Sequence, residues 1–546
     1  MTAVDANPSS ARRAPAASGC RDGARPGFDA QTWRLRLSGV RPSDRLLGWL
    51  GPLMAAVIGG FLRFWELGRI NTLIFDETYY VKEGYSMMLY GVELRDNQVN
   101  KENVLWNAGT FDPSKIFLSH DGDFVVHPPV GKWVIGAGEW LFGINNPFGW
   151  RFAVAVMGTL SILMLGRAAR RLFGSTYLAT CAALLLAFDG MHLTMSRIGI
   201  LDLIVMFFAL AAFCALLIDR DRTRDRLAVA VAGGADLDGL GPWTGWRPWR
   251  WVAAVCLGLC IGTKWSGLWF LAVFGLMTVA WDLGARRSIR VKHWVAGTFL
   301  RDAVPAGFLM VGTSLVVYIA SWTGWFLSND GWGRHWAQTN PPQTALGGLV
   351  PDALRSLWYY EQQVWAFNVG LSQPHTYQSN PWSWIVMGRP TSFYYESPKL
   401  GEQGCAVAQC SKAITNIGTI PIWWAAAIAI PIVFFCWALR RDWRAGAVLA
   451  GLFAGWFPWF LFQERTIYAF YAVAFVPWIV LAVVYVLGLI VGRIDASVRR
   501  RRWGVALSGS YVVLTAVFFV LWWPIWTAQV IPYEQWQWHM WFPSWI

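Results

Sequence analysis

Val130-Gly131-Lys132-Trp133-Val134-Ile135-Gly136-Ala137-Gly138-Glu139-Trp140-Leu141-Phe142-Gly143 is an apolar stretch of only 14 residues, with Lys132 and Glu139 inside it. A helix that crosses a bilayer needs about 20 apolar residues. Counted as a crossing, this stretch would reverse the side of every later segment. Read as an interfacial or re-entrant helix, it leaves those segments in register. The reading decides the fold because the chain around it is mostly membrane.

Of the 546 residues, 55% are hydrophobic and only 14% are charged, with long uncharged runs. Mean hydropathy is +0.37. These values predict an all-α polytopic membrane protein. The 38 Trp residues suit a chain with many membrane interfaces, where indoles settle at headgroup depth. About eleven spans are expected, near 47–66, 150–166, 175–192, 198–218, 250–264, 266–284, 303–325, 418–438, 445–462, 467–491 and 503–526.

The net charge of +13 is compatible with a nucleic-acid partner by sign alone. Its placement excludes one, because the excess lies in short loops between spans. With the N-terminus in the cytoplasm, inner segments carry 30 of the 46 Lys and Arg residues. The long outer loops, 67–149 and 326–417, carry eleven. This is the positive-inside pattern, and it puts the C-terminus outside.

Residues 1–46 read as a disordered basic cytoplasmic tail, since they lack an apolar period and the first apolar run starts too late for a cleaved leader. Residues 47–325 form the first transmembrane half, 326–417 a large outer loop, and 418–546 the C-terminal helices. Cys405 and Cys410 lie in that loop at C-x4-C spacing, which fits a disulfide if the loop is exported. Cys181, Cys214, Cys256, Cys260 and Cys436 fall in apolar spans and read as packing residues.

The polar residues that a bland bundle would not need gather at one side. Asp76 and Glu77 follow the first span, with Phe75, Tyr79 and Tyr80 around them. Adjacent carboxylates can divide roles, one as general base and the other orienting a donor or holding a divalent cation. Taken alone, such a pair is more often a solvated loop or the acidic start of a helix. The aromatics beside it favour sugar stacking by Tyr79 and Tyr80. His127-Pro128-Pro129-Val130-Gly131-Lys132 sets a rigid turn that would present His127 and Lys132 to an anion. Arg151, Lys264 and Arg465 stand at outer span ends, where three cations can clamp a lipid phosphate. Each alone is more often an interfacial snorkel. Arg197 and Asp202, five apart, read as a buried structural pair. No Walker A loop, other Gly-rich phosphate loop or H-E-x-x-H appears.

These residues, in this order, resemble the protein O-mannosyltransferases, integral-membrane GT-C glycosyltransferases. The resemblance rests on Phe75-Asp76-Glu77, the His127–Lys132 turn and Trp150-Arg151-Phe152. It continues through Ala187-Phe188-Asp189-Gly190, Ser196-Arg197-Ile198 with Leu201-Asp202, and Gly262-Thr263-Lys264-Trp265-Ser266-Gly267-Leu268. It covers about residues 60–325, and is looser over the last four spans, around Arg465 to Tyr468 and Tyr471.

The resemblance implies transfer of mannose from polyprenyl-phosphate mannose to Ser/Thr hydroxyls of exported, unfolded proteins, with inversion. Asp76 would be the base and Glu77 its helper, with Mg or Mn as an optional cation on Glu77. Arg151, Lys132, His127, Lys264 and Arg465 would bind donor phosphate or sugar. The site would face outward from a plasma membrane, with the secretion translocon as an optional partner. Eukaryotic members carry lumenal β-trefoil repeats that the 326–417 loop lacks, so the chain resembles a bacterial form, and its Ala/Arg/Trp-rich composition suggests an actinobacterial one. Two other readings stand: a GT-C transferase that glycosylates a glycolipid or cell-wall glycan, and, less favoured, a transporter. Against the transporter, the polar residues sit at one surface rather than at the bilayer midplane.

Overall fold

The computed structural model describes residues 29–39, 42–97, 106, 109, 111–345, 347–493 and 495–546. The first 28 residues of the expected tail lie outside the described residues. Nine helices among those described are long and apolar enough to cross a membrane. They are Leu47–Phe64, Pro147–Phe173, Asp202–Ala232, Gly267–Ser288, Trp294–Ser321, Ile420–Arg440, Trp443–Leu461, Ala469–Val491 and Val498–Trp526. Two further expected spans appear as shorter apolar helices, Thr176–Ala187 and Pro248–Ile261. The first of these stops because Asp189 caps a new short helix, Gly190–Met195, by accepting from His192 N at 2.8 Å.

The opening stretch is the helix Val130–Phe142. Thirteen residues at 1.5 Å rise give roughly 20 Å, short of a bilayer core. Its glycines are packing contacts. A Cβ at Gly136 would meet the Gly84 carbonyl oxygen at 2.7 Å, and one at Gly138 the Gly149 carbonyl oxygen at 2.3 Å. The helix is therefore pressed against Glu77–Tyr90 and Pro147–Phe173, while Trp140, Leu141 and Phe142 stay exposed.

Among the described residues, five short strands lie in the loops. β1 (Leu94–Asp96) pairs antiparallel with β2 (Phe117–Gly122). β3 (Ser392–Glu396), β4 (Cys410–Thr415) and β5 (Val530–Pro532) form an antiparallel sheet in that order. β4 precedes the last four long helices and β5 follows them, so the 326–417 loop and the C-terminal segment share one end of the bundle. Tyr360, in the helix Asp352–Gly370, donates to the Val125 carbonyl and accepts from its N–H. That brings the 67–149 loop to the same end.

One expectation is corrected. The 1–46 segment is not structureless throughout. Asp29 caps a helix, Ala30–Ser38, by accepting from Thr32 N at 2.8 Å. Leu37 is buried against Leu227, Ala228 and Ile289, and Arg224 holds its carbonyl at 3.1 Å. One buried leucine and one arginine order the segment, and neither produces an apolar period in the sequence.

Candidate active site

Asp76 and Glu77 are neighbours with opposite environments. Glu77 is fully buried, and both its oxygens are taken. Arg151 reaches them through Nε and Nη2, each at 2.7 Å. Backbone N–H groups of Gly199 and Ile74 add bonds at 2.8 and 3.1 Å. Arg151 also donates to the carbonyls of Ile70, Leu67 and Thr72. All five of its N–H groups therefore have acceptors. The pair is a brace that holds the 67–77 turn.

This overturns two expectations. Glu77 is not free to assist a base or hold a cation, and Arg151 is not free to bind a phosphate. Among the described residues, no three or more His, Cys, Asp or Glu side chains come together as a metal-holding group.

Asp76 is left free by that brace. It stands at the N-cap position of Glu77–Tyr90, yet makes no side-chain capping bond. Its carboxylate has no hydrogen-bond or ion-pair partner among the described residues. Burial pushes its pKa up to about 6, with nearby Lys264 opposing and Asp202 adding to the shift. Phe75, one residue earlier, has φ +50°, a left-handed conformation costly for a side-chain-bearing residue. Edge-on contacts with Phe393 at 5.0 Å, Phe470 at 5.5 Å and Tyr468 at 6.1 Å hold it there.

Lys132 is a third correction. It is fully buried, paired with Glu93, and donates to the His127 carbonyl at 2.8 Å. It neutralises an acid in the sequence-distant β1 region instead of facing a ligand. His127 itself reaches the site. Burial and the charges of Lys264, Lys132 and Arg465 hold its pKa well below the usual histidine value, so the ring is neutral. Tyr80 is buried with its ring 6.1 Å from that of His127, whereas Tyr79 is 61% exposed.

His127 lines a cavity of about 710 Å³, and so do Lys264 and Asp202, the two charged groups that act on Asp76. His127, Asp202, Lys264, Asn368, Arg465 and Tyr471 form its polar mouth. Lys264 Nζ donates to Asp202 Oδ2 at 2.8 Å. The expected Arg197–Asp202 pair is thus replaced by Lys264–Asp202. Arg197 instead donates to the carbonyls of Leu62, Arg63, Trp65 and Glu66, at the C-terminal end of the first long helix. Among the described residues the Arg465 side chain has one hydrogen bond, Nη2 to Asn368 Oδ1 at 3.0 Å, and its buried Nε has no partner. The far wall is apolar. Leu268, Leu271, Ala272, Gly275 and Leu276 supply it from one helix at spacings of three and four, so they share a face.

Sequence reasoning passed over Asn368 and Glu93. Neither carries a local signal, since each matters only through a partner about 40 to 100 residues away. Glu361 was also missed. It accepts from Tyr318 beside Trp265 at the cavity rim, and burial pushes its pKa up to about 7. Cys405 and Cys410 are disulfide-bonded, with Cα atoms 5.9 Å apart.

A family model for dolichyl-phosphate-mannose-protein mannosyltransferase matches residues 111–316, and one for the C-terminal four-TMM region of protein-O-mannosyltransferase matches 353–545. The chain belongs to the protein O-mannosyltransferase family. The membership extends through the last four long helices, where the motif resemblance was loose. A polyprenol-phosphate-mannose–protein mannosyltransferase of Mycolicibacterium smegmatis is 36% identical over 518 residues, 92% of this chain and 94% of the relative. A protein of the same description from Mycobacterium tuberculosis is 35% identical, covering 92% of this chain and 93% of its own. The solved Pmt1–Pmt2 O-mannosyltransferase complex of Saccharomyces cerevisiae, bound to its sugar donor, matches 93% of this chain and 94% of that chain. Its TM-score is 0.69 at 14% identity, a shared fold of GT-C type.

Proposed function

We propose that this O-mannosyltransferase-family chain moves mannose from a polyprenyl phosphate to Ser or Thr hydroxyls of exported proteins, with inversion at the anomeric carbon. The observation that carries the reading is Asp76. It is a carboxylate without a partner, held rigidly beside a cavity that is cationic at its mouth and apolar along its wall. A prenyl-linked donor has both characters.

The prenyl chain lies along the Leu268–Leu276 face, and its phosphate meets Arg465 and Lys264. The leaving phosphate is already an anion, so a cationic mouth serves in place of a general acid. Asp76 takes the proton of the acceptor hydroxyl as its oxygen attacks the anomeric carbon. The sugar–phosphate bond breaks on the opposite face. Neutral His127 is a hydrogen-bonding partner for sugar or phosphate that adds no charge. Glu77 holds no divalent cation in this reading, because both its oxygens are engaged.

The outer end of the bundle faces away from the cytoplasm of a plasma membrane, and the two short apolar helices complete eleven crossings. Unfolded Ser/Thr-rich chains, delivered in the neighbourhood of the secretion translocon, are the acceptors. Purified protein mixed with labelled polyprenyl-phosphate mannose and a Ser/Thr/Pro-rich peptide should label the peptide. Unlabelled peptide, label in a glycolipid instead, or unchanged transfer by Asp76→Asn would sink the reading. An EDTA arm with Mg or Mn added back reports any cation requirement.

A further inference from the structure

A second cavity, of about 440 Å³, opens at the same end of the bundle and shares no lining residue with the first. One wall is the face of the β3–β4–β5 sheet. Glu396, Lys412 and Val530 are in register across the three strands, and Tyr394 lies two residues from Glu396 on the same face. The opposite wall is Arg69, Asn71 and Thr72, on the turn braced by Arg151.

We infer that this cleft is the docking site for an extended, uncharged segment of the acceptor polypeptide, which it delivers to Asp76. The inference deepens the transfer reaction above and presupposes it.

Thr72 and Asp76 are four residues apart, so they are separated by at most about 14 Å. A strand-like peptide spans that in roughly four residues. The sheet and the base also form one rigid piece, because Phe393 of β3 packs edge-on against Phe75. A peptide seated on the sheet is therefore registered against Asp76. The donor cavity is a separate one, lined by the Lys264 and Asp202 that perturb the same carboxyl. Inversion requires donor phosphate and acceptor oxygen on opposite faces of the sugar, and two cavities with no shared lining residue give donor and acceptor separate sites near Asp76.

The walls are polar, so a prenyl chain has nothing to pack on. The charges are already matched. Arg69 pairs with Glu66, and Lys412 lies 3.6 Å from Glu396. Gln403 bridges that pair, donating to Glu396 Oε2 and accepting from Lys412 Nζ, each at 2.9 Å. An acidic or basic segment would have to break these pairs. The Asn71 amide, exposed and without a hydrogen-bond partner among the described residues, offers two donors and one acceptor. A peptide group presents the complementary acceptor and donor. The Cys405–Cys410 disulfide lies in the same β3–β4 connection as Gln403, two residues along the chain from it.

The test uses the full chain, polyprenyl-phosphate mannose and a Ser/Thr-rich peptide, with Asn71→Trp and Gln403→Trp from opposite walls. Both positions are exposed, so bulk there fills the cleft without entering the core. Each variant should raise the peptide KM by at least about tenfold, with donor KM unchanged and kcat within about twofold. A peptide carrying an Asp or Lys on each side of the acceptor Ser should behave like the variants do. Unchanged peptide KM in both variants, or donor KM rising in step with it, overturns the docking site and leaves the transfer reaction standing. Absence of any transfer by the unaltered protein overturns the reaction itself, and the docking site with it.

Discussion

The two ends of the helix Asp202–Ala232 carry charge clusters built on different terms. Asp219 lies 17 residues beyond Asp202, roughly 25 Å along the axis. There it enters a closed set of three acids and three arginines. Arg247 donates to Asp219 and, at 2.8 Å, to Asp282. Arg250 reaches Asp282 at 2.8 Å, and Arg286 reaches Asp302 at 2.6 Å. All six are buried. At the other end, Asp202 has Lys264 alone, while Arg465 has no carboxylate and Asp76 has no cation in bonding contact. A charge set that neutralises itself holds helices together. A set left open has unused groups for a ligand.

The same contrast recurs within the outer end. Glu77–Arg151 and Glu93–Lys132 are closed, and Asp76 and Arg465 are open. Removing an open group should cost rate, and removing a closed one should cost stability.

The largest effect is expected for Asp76→Asn. It should lower mannosyl transfer by about 10²–10⁴-fold, the usual contribution of a general base. The folded protein should remain, because no hydrogen bond is lost. The wild-type carboxyl is also easier to protonate folded than unfolded, so its stability falls as pH rises from the ordinary Asp value through about 6. Asp76→Asn should therefore melt no lower than wild type at pH 8. A variant that simply unfolds would erase the distinction between the two carboxylates.

Breaking a closed pair comes next. Arg247→Ala leaves two buried acids short of a cation, at a cost of about 3–5 kcal/mol. Thermal unfolding should register that loss, while the surviving folded protein keeps its donor KM. Arg151→Met should also destabilise, and it should lower kcat as well, because the turn bearing Asp76 loses its brace. If Arg247→Ala changed donor KM with no loss of stability, the contrast between the two ends would fail.

Arg465→Ala should leave stability nearly intact and raise donor KM by roughly 10–100-fold, the value of one or two charge-assisted hydrogen bonds. A pH profile should sharpen the role of Asp76. The base works ionised, so transfer should fall as pH drops through about 6, to about a tenth of its plateau at one unit below. Loss of that acid limb to a different pKa would assign the base elsewhere. The smallest effect is expected on the apolar wall. A Cβ at Gly275 meets nothing within 4 Å. Gly275→Leu should thus fold and raise the KM of a long-chain donor a few-fold, with less effect on a donor of one or two prenyl units.

The sequence by itself determined the class of the molecule. Span lengths, arginine placement and the 14-residue Val130–Gly143 run are local quantities, set by how far a helix reaches and where charge is costly. They predicted the helical membrane fold, and the ordered motifs identified the family. They also named Asp76, His127, Lys264 and Arg465, which the fold brings to one end of the bundle. What local pattern could not decide was which charges remain available. Glu77, Arg151 and Lys132 look like ligands in sequence, and each is closed by a group far along the chain, at Gly199, at the 67–72 carbonyls or at Glu93. Desolvation makes an unpaired buried charge expensive, so availability is fixed by the partner that folding brings. Only the tertiary structure names that partner, and only it separated Asp76 from Glu77.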